Sequence, residues 1–101
     1  MTYRNPKLLA LAREAPHCMG CGKHNGGDVV AAHSNMLSDG RGFSHKTPDH
    51  LIAYLCQDCH DAYDARVPVV GTKQERHNYL WLPAHLKTLR WLIESGHLIV
   101  K

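Results

Sequence analysis

The four cysteines of this chain fall into two pairs with the same short spacing. Cys18 and Cys21 form one C-x2-C pair and Cys56 and Cys59 form the other, with about 34 residues between them. Two thiolates at this spacing on a tight turn can grip one metal ion, and Gly22 permits the positive φ that such a turn needs. The pattern predicts a structural four-thiolate zinc site, and the alternatives are two disulfides or four buried thiols.

Length and composition indicate one small globular domain. The 101 residues are 44% hydrophobic and 21% charged, which excludes wholesale disorder and predicts a single domain over residues 1–101. A core of this size buries only about two thirds of the surface of the unfolded chain, and a zinc site can supply on the order of 10 kcal/mol of folding free energy. The formal net charge of +3 permits a nucleic-acid partner without demonstrating one.

The apolar runs of the chain are short. The run from Leu51 to Cys56 is far below the roughly 20 residues that cross a bilayer, which predicts a protein without a membrane partner. Leu8 to Ala12 is interrupted by Arg13 and Glu14, too soon for a secretory signal. We therefore expect a cytoplasmic protein, where thiols stay reduced and zinc is favoured over disulfides.

The elements that would position the cysteines alternate between helix and strand. Asn5 and Pro6 begin a helix that ends at Pro16, and a β-branched run over 28–33 predicts a strand. A long loop over 34–49 leads to a second strand over 51–55. The second cysteine pair then opens a helix over 59–66. The predicted class is a small α+β fold.

The C-terminal third predicts one longer helix. Thr72 and Glu75 have the spacing of a capping box, so we expect a helix over 72–95, with Pro83 bending or dividing it. Its apolar stripe consists of Leu82, Leu86, Leu89 and Ile93. That stripe would face the core of the domain, or a second copy of the chain in a homodimer. Trp81 and Trp91 are expected in the core, and His77 and His85 at the surface.

The order of these features resembles a nuclease family. A cysteine pair, a strand ending in His33, a loop, a strand, and a second pair followed by His60 resemble the zinc-bracketed HNH, or ββα-metal, endonucleases over residues 16–66. The strings Ala32-His33-Ser34-Asn35, Gly40-Arg41-Gly42 and Leu55-Cys56-Gln57-Asp58-Cys59-His60 are similar to the small phage and prophage nucleases of the YbcO type. The resemblance implies a ββα-metal core clamped by zinc, with the two terminal helices flanking it.

The resemblance also implies catalytic roles. His33 would be the general base, since imidazoles in general titrate near neutral pH, and His60 would bind a catalytic divalent ion such as Mg²⁺ or Mn²⁺. Asp64, four residues after His60, lies on the same helical face and could be a second ligand of the ion. The implied reaction is hydrolysis of DNA phosphodiester bonds in a bacterial host cell, leaving 5′-phosphate ends.

Two positions depart from the family pattern. Ala32 stands where many members have a metal ligand, and the middle asparagine is absent, with Asp49 and His50 near its place. Three interpretations stay open. Asp64 supplies the missing ligand, Asp49 supplies it, or His33 is itself a ligand and another residue is the base.

Further residues could contact the phosphates of a nucleic acid. They are Arg41, His45 and Lys46 in the long loop, and Lys23 beside the first cysteine pair. Two functions of other classes compete with catalysis. One is a non-catalytic, zinc-stabilised nucleic-acid-binding or recombination accessory protein, and the other is a zinc module that binds a protein partner.

Overall fold

A two-stranded antiparallel sheet lies at the centre of the domain. The computed structural model describes residues 3–36, 47–68 and 71–98. Strand β1 (Val29–His33) pairs with β2 (Ile52–Cys56), in a register running from Val29 opposite Cys56 to His33 opposite Ile52. Both strands lie within one residue of their predicted bounds. All five residues of β2 are buried, so this strand is covered on both faces.

The N-terminal helix is shorter than its sequence predicts. Helix α1 (Pro6–Ala10) begins as expected, because the Asn5 side chain accepts a hydrogen bond from the Leu8 N–H. The chain then tightens into a 3-10 turn (Leu11–Glu14). The Asn25 side chain donates to three carbonyl oxygens around the end of this turn, which ties it to the segment before β1.

Helix α2 (Gln57–Tyr63) follows β2 without a loop. It begins two residues before the predicted bound, with Cys56 as its N-cap residue, and Asp64 is its C-cap residue. The helix stops short of its predicted end because Ala65 adopts a positive φ of 57°. This placement puts His60 in the middle of α2.

The C-terminal helix is continuous but not uniform. It consists of α3 (Lys73–Arg76), a π-helical segment (His77–Trp81) and α4 (Leu82–Glu94), and the predicted capping box begins it. Pro83 lies in the first turn of α4, and the Leu82 N–H donates to the His77 carbonyl, five residues back. The interruption expected at Pro83 is therefore a π-helical turn before it. No helix in the described ranges is long and apolar enough to cross a membrane.

The face of α4 that packs on β2 is not the predicted apolar stripe. Leu82, Leu86 and Ile93 are 40%, 58% and 59% exposed. The buried positions of α4 are instead Ala84, His85, Thr88 and Leu92. The prediction that the stripe faces the core is therefore wrong, whereas a homodimer through it stays a prediction.

The unpaired backbone groups at the outer edge of β2 explain which face of α4 packs against the sheet. The Tyr54 N–H donates to Thr88 Oγ1 at 3.0 Å, and His85 Nδ1 donates to the Ile52 carbonyl at 2.6 Å. Buried backbone groups on the outer edge of a strand need partners, and leucine side chains offer none. The polar side chains of α4 therefore face the sheet.

Trp81 anchors the C-terminal helix to the other strand. It is 1% exposed, as expected, and its indole N–H donates to the Ala32 carbonyl at 2.9 Å. The His77 and His85 rings stack on Trp81, with centroid distances of 4.9 and 4.8 Å. Both histidines are 8% exposed, so their predicted surface positions are wrong.

Candidate functional site

The four cysteines form one compact cluster. The Sγ atoms of Cys18, Cys21, Cys56 and Cys59 all lie within 4.8 Å of one another, and those of Cys21 and Cys56 are 3.9 Å apart. Sulfurs bound tetrahedrally to Zn²⁺ at about 2.3 Å would be about 3.8 Å apart. Gly22, at φ +80°, turns the chain after the first pair as predicted. The four cysteines could therefore hold a metal ion such as zinc.

Backbone contacts hold the first cysteine pair beside β2. The Met19 N–H donates to the Tyr54 carbonyl at 2.9 Å, so the turn is attached to the strand that leads to the second pair. The N–H groups of Gly20 and Cys21 point to Cys18 Sγ at 3.3 and 3.4 Å. Hydrogen bonds of this kind favour the charged thiolate that binds metal ions.

The electrostatics of the cluster favour a bound cation. Burial opposes ionisation of Cys18, but hydrogen bonds with backbone groups of Cys21, Cys56 and Gly20 outweigh it and lower the pKa of the Cys18 thiol to about 7. Burial, and then the charge on Cys18, raise the pKa of Cys59. Ionisation of one thiol therefore disfavours ionisation of the next, and a bound divalent cation would offset the repulsion between the thiolates.

A pocket of about 560 Å³ lies where β1, α2 and the start of α3 meet. Its lining consists of alternate residues along β1 and just beyond it, one residue of α2 with the C-cap residue of that helix, and three cations. These residues are Ala31, His33, Asn35, His60, Asp64, Arg66, Lys73 and Arg76. The structure thus brings together three residues that the sequence singled out, His33, His60 and Asp64.

His33 is held by a buried carboxylate. Its Nε2 lies 2.9 Å from Asp49 Oδ1, and Asp49 is only 2% exposed. Burial alone would raise the pKa of Asp49, but hydrogen bonds from His33, from the Asn5 N–H and from Arg4 lower it below its ordinary value of 3.8. An ionised carboxylate only accepts hydrogen bonds, so Nε2 carries the proton and a neutral His33 keeps its lone pair on Nδ1.

The contacts of Asp49 join it to His33 and to the N-terminal segment, and its role as a metal ligand stays a prediction. Arg4 Nη1 lies 3.0 Å from Oδ1, which also receives His33, and the Asn5 N–H donates to Oδ2 at 2.6 Å. Both carboxylate oxygens are therefore occupied, and Asp49 does not line the pocket beside His60. The structure places Asp49 as a partner of His33.

His60 and Asp64 meet as the helical spacing predicts. His60 Nε2 lies 3.0 Å from Asp64 Oδ2, and the side chains are 20% and 25% exposed. Arg66 Nη2 approaches the same oxygen at 3.4 Å. Within the described residues the cysteine cluster is the one group of three or more His, Cys, Asp or Glu side chains placed to hold an ion. His60 and Asp64 therefore contribute a pair of donor groups.

Three cations form a rim on the pocket. Arg76 is fixed by hydrogen bonds to the Tyr63 and Gly71 carbonyls at 3.2 and 2.9 Å, and Arg66 pairs with the Asp61 and Asp64 carboxylates. Lys73 lines the pocket with an exposed side chain. Such a rim can bind phosphate groups.

Of the phosphate contacts predicted from sequence, Lys23 alone belongs to the described residues. Lys23 does not line the pocket and approaches Asp28 at 3.8 Å. Arg41, His45 and Lys46 fall outside the described residues.

Sequence analysis missed Asn35, Lys73 and Arg76 as pocket residues. The two-residue alternation of β1, continued past its last residue His33, would have placed Asn35 on the same face as His33. Lys73 and Arg76 are the first and last residues of α3, and the hydrogen bond from Arg76 to the Tyr63 carbonyl joins this helix to the end of α2 beside the pocket.

Comparisons of the chain with protein-family models, with curated proteins and with solved structures gave no match. The functional conclusion therefore depends on the cysteine cluster and the pocket.

Proposed function

We propose that the chain is a metal-dependent endonuclease of the zinc-bracketed HNH, or ββα-metal, type that hydrolyses DNA phosphodiester bonds. The observation that carries the proposal is the convergence on one pocket of His33 with its ionised partner Asp49, and of the His60–Asp64 pair. Hydrolysis of a phosphodiester needs a base, a site for a divalent cation and a phosphate-binding surface. Each requirement has a candidate group here.

The architecture supports the same proposal. β1, β2 and α2 follow one another with the cysteine cluster at the junction of β2 and α2, the arrangement expected of a zinc-clamped ββα core. The sequence resemblance to phage and prophage nucleases adds a bacterial cytoplasm as the proposed place of action.

The His60–Asp64 pair fits a hard divalent cation. His60 Nε2 lies 3.0 Å from Asp64 Oδ2, a hydrogen-bond distance, and a cation bound by both groups would take the place of the Nε2 proton. One imidazole and one carboxylate leave open positions for phosphate oxygens and water. A bound Mg²⁺ or Mn²⁺ would supply charge stabilisation at the phosphate and at the leaving oxygen.

In the proposed reaction His33 acts as the general base. Nδ1 takes a proton from water as the water oxygen bonds to phosphorus, and the bond from phosphorus to the 3′ oxygen breaks. The leaving oxygen takes a proton from solvent, which leaves a 5′-phosphate end. Asp49 is a positioning residue, because it holds His33 in the required tautomer and stabilises the imidazolium that forms. Lys73 and Arg76 bind the phosphate backbone.

Two histidine substitutions test the proposal. His33→Ala and His60→Ala should each reduce nicking of supercoiled plasmid DNA, in Mg²⁺ or Mn²⁺, by at least about 100-fold. Zinc content should stay at the wild-type value, because neither residue belongs to the cysteine cluster. His24→Ala, an exposed histidine beside the first cysteine pair, is the matched control and should cut normally.

Three results would overturn the proposal. Both pocket variants could cut DNA at the wild-type rate. The wild type could bind DNA with a steep salt dependence yet cut with no divalent ion, which would favour the non-catalytic nucleic-acid-binding module. Tight binding of a protein partner without affinity for DNA would favour the interaction module.

A further inference from the structure

We infer that the side-chain oxygen of Asn35 is a third protein ligand of the divalent cation held by His60 and Asp64. This inference rests on the proposed function and deepens it. It assigns to Asn35 the ligand role that Ala32 cannot fill.

The geometry of β1 explains why position 32 carries no ligand. Side chains alternate between the faces of a strand, and here Ala31, His33 and Asn35 line the pocket. Ala32 is fully buried away from it, and its carbonyl accepts the indole N–H of Trp81. A carboxylate at position 32 would therefore enter the core. Asn35 is the residue of this alternating set that offers an oxygen beside His33.

Asn35 holds an acceptor that lacks a partner. Its Oδ1 atom is buried and receives no hydrogen bond from the residues that the structure describes. An amide oxygen removed from water without a partner costs about 1–3 kcal/mol, and such atoms in native structures commonly mark an ion or an ordered water. Asn35 lines the polar pocket with His60 and Asp64, so a cation bound by those two residues could give Oδ1 a partner.

The backbone of Asn35 is fixed to the helix that carries the other two ligands. Its N–H donates to the hydroxyl of Tyr63 at 3.0 Å, and Tyr63 is the last residue of α2 and fully buried. His60 and Asp64 flank Tyr63 along the same helix. This hydrogen bond joins the backbone of Asn35 to the end of α2 that carries both residues.

The resulting donor set has the chemistry of a magnesium or manganese site. It contains one imidazole nitrogen, one carboxylate oxygen and one amide oxygen, and hard divalent cations accept oxygen donors of both kinds. The remaining positions of an octahedral ion are free for phosphate oxygens and water.

Binding of Mn²⁺ to the zinc-loaded protein tests the inference. Free Mn²⁺ is measured by electron paramagnetic resonance during a titration without DNA. Asn35→Ala should raise the Kd at least about 10-fold, whereas Asn35→Asp should match or tighten wild-type binding because it restores an oxygen donor. Asn78→Ala, an exposed asparagine outside the pocket, is the matched control. Zinc content and thermal unfolding confirm that each variant is folded.

A direct readout comes from nuclear magnetic resonance of the wild type. The side-chain amide resonances of Asn35 should shift when Mg²⁺ is added, and those of Asn78 should not. Absence of that shift at saturating Mg²⁺ contradicts the inference, even if Asn35→Ala weakens binding.

The outcomes separate this inference from the proposed function. If His60→Ala abolishes Mn²⁺ binding and Asn35→Ala leaves it unchanged, only the ligand role of Asn35 is lost. Slower DNA cleavage by Asn35→Ala with unchanged Mn²⁺ affinity would make Asn35 a substrate contact and overturn the inference. If the wild type binds no Mn²⁺, the inference and the proposed metal-dependent reaction fail together.

Discussion

The cysteine cluster and the pocket are built in different ways from the same strands and helix. The cluster joins two copies of one short spacing, and its four sulfurs lie within 4.8 Å of one another. The pocket takes single side chains from β1, α2 and α3, and its histidine His33 depends on Asp49 and, through it, on Arg4 near the N-terminus. The cluster forms once two local cysteine pairs are brought together. The pocket requires several long-range contacts, among β1, α2, α3 and the N-terminal segment.

The two sites meet at adjacent residues of α2, and we expect the pocket to depend on the cluster more than the cluster depends on the pocket. Cys59 belongs to the cluster and His60 to the pocket. A change in the cluster should therefore disturb the pocket, while a change in the pocket should leave the cluster intact. The following predictions test this asymmetry.

The largest effect should come from the cluster. Cys59→Ser should abolish stoichiometric zinc binding and lower the free energy of unfolding by about 5 kcal/mol or more, because metal binding contributes to folding. Circular dichroism during heating and metal analysis by mass spectrometry measure both quantities. His24→Ala should change neither. A Cys59→Ser protein that unfolds like the wild type would show that the cluster does not stabilise the fold.

The second prediction concerns the packing that supports both sites. Leu92→Ala should cost about 2–5 kcal/mol of unfolding free energy, since Leu92 is 2% exposed. Leu86→Ala, on the 58% exposed stripe of the same helix, should cost less than about 1 kcal/mol. Denaturant unfolding at fixed protein concentration measures the contrast. Equal costs would contradict the observed orientation of α4, unless Leu86 proves to be buried in a dimer, which sedimentation would detect.

The third prediction isolates the partner of His33. Asp49→Asn should reduce kcat about 10- to 100-fold, with KM and Mn²⁺ affinity unchanged, because the amide no longer fixes the tautomer of His33. Steady-state kinetics of DNA nicking measure kcat and KM separately. Weaker Mn²⁺ binding by this variant would instead make Asp49 a ligand, against its contacts in the structure.

The same substitution has a pH signature in stability. The pKa of Asp49 is lowered in the folded protein, so its ionised form stabilises the fold above the ordinary value of 3.8. That stabilisation disappears as the pH falls through the folded-state pKa. The difference in unfolding free energy between wild type and Asp49→Asn should therefore shrink below about pH 4. A difference independent of pH would exclude the charge of Asp49 as its source.

The smallest effect should be at the cationic rim. Lys73→Ala should reduce the slope of log K against log salt for DNA binding by about 1, with a few-fold loss of affinity, because one phosphate contact is removed. Lys7→Ala, an exposed lysine on α1, is the matched control. Equal slopes for the two variants would remove Lys73 from the proposed phosphate surface.

Local signals in the sequence predicted the elements well. The asparagine–proline start of α1, the two strands, the capping box at Thr72 and the two cysteine pairs all depend on neighbours within a few residues, and each is found near its predicted place. The i,i+4 pairing of His60 with Asp64 is a signal of the same kind.

The errors and omissions arise from long-range contacts. The buried face of α4 follows from the free edge of β2, more than 30 residues earlier, so His85 and Thr88 face inward and the leucine stripe does not. Asp49 pairs with His33 across 16 residues and with Arg4 across 45. No periodicity of hydrophobic residues encodes such contacts.

The closed outer edge of β2 has a consequence for self-association. The Tyr54 N–H donates to Thr88, the Tyr54 carbonyl accepts from the Met19 N–H, and the Ile52 carbonyl accepts from His85. An incoming strand would find these three groups already paired, which disfavours fibril growth or peptide capture by strand addition at this edge. The hairpin is thus protected from sheet-to-sheet polymerisation along β2 by helix side chains rather than by charge.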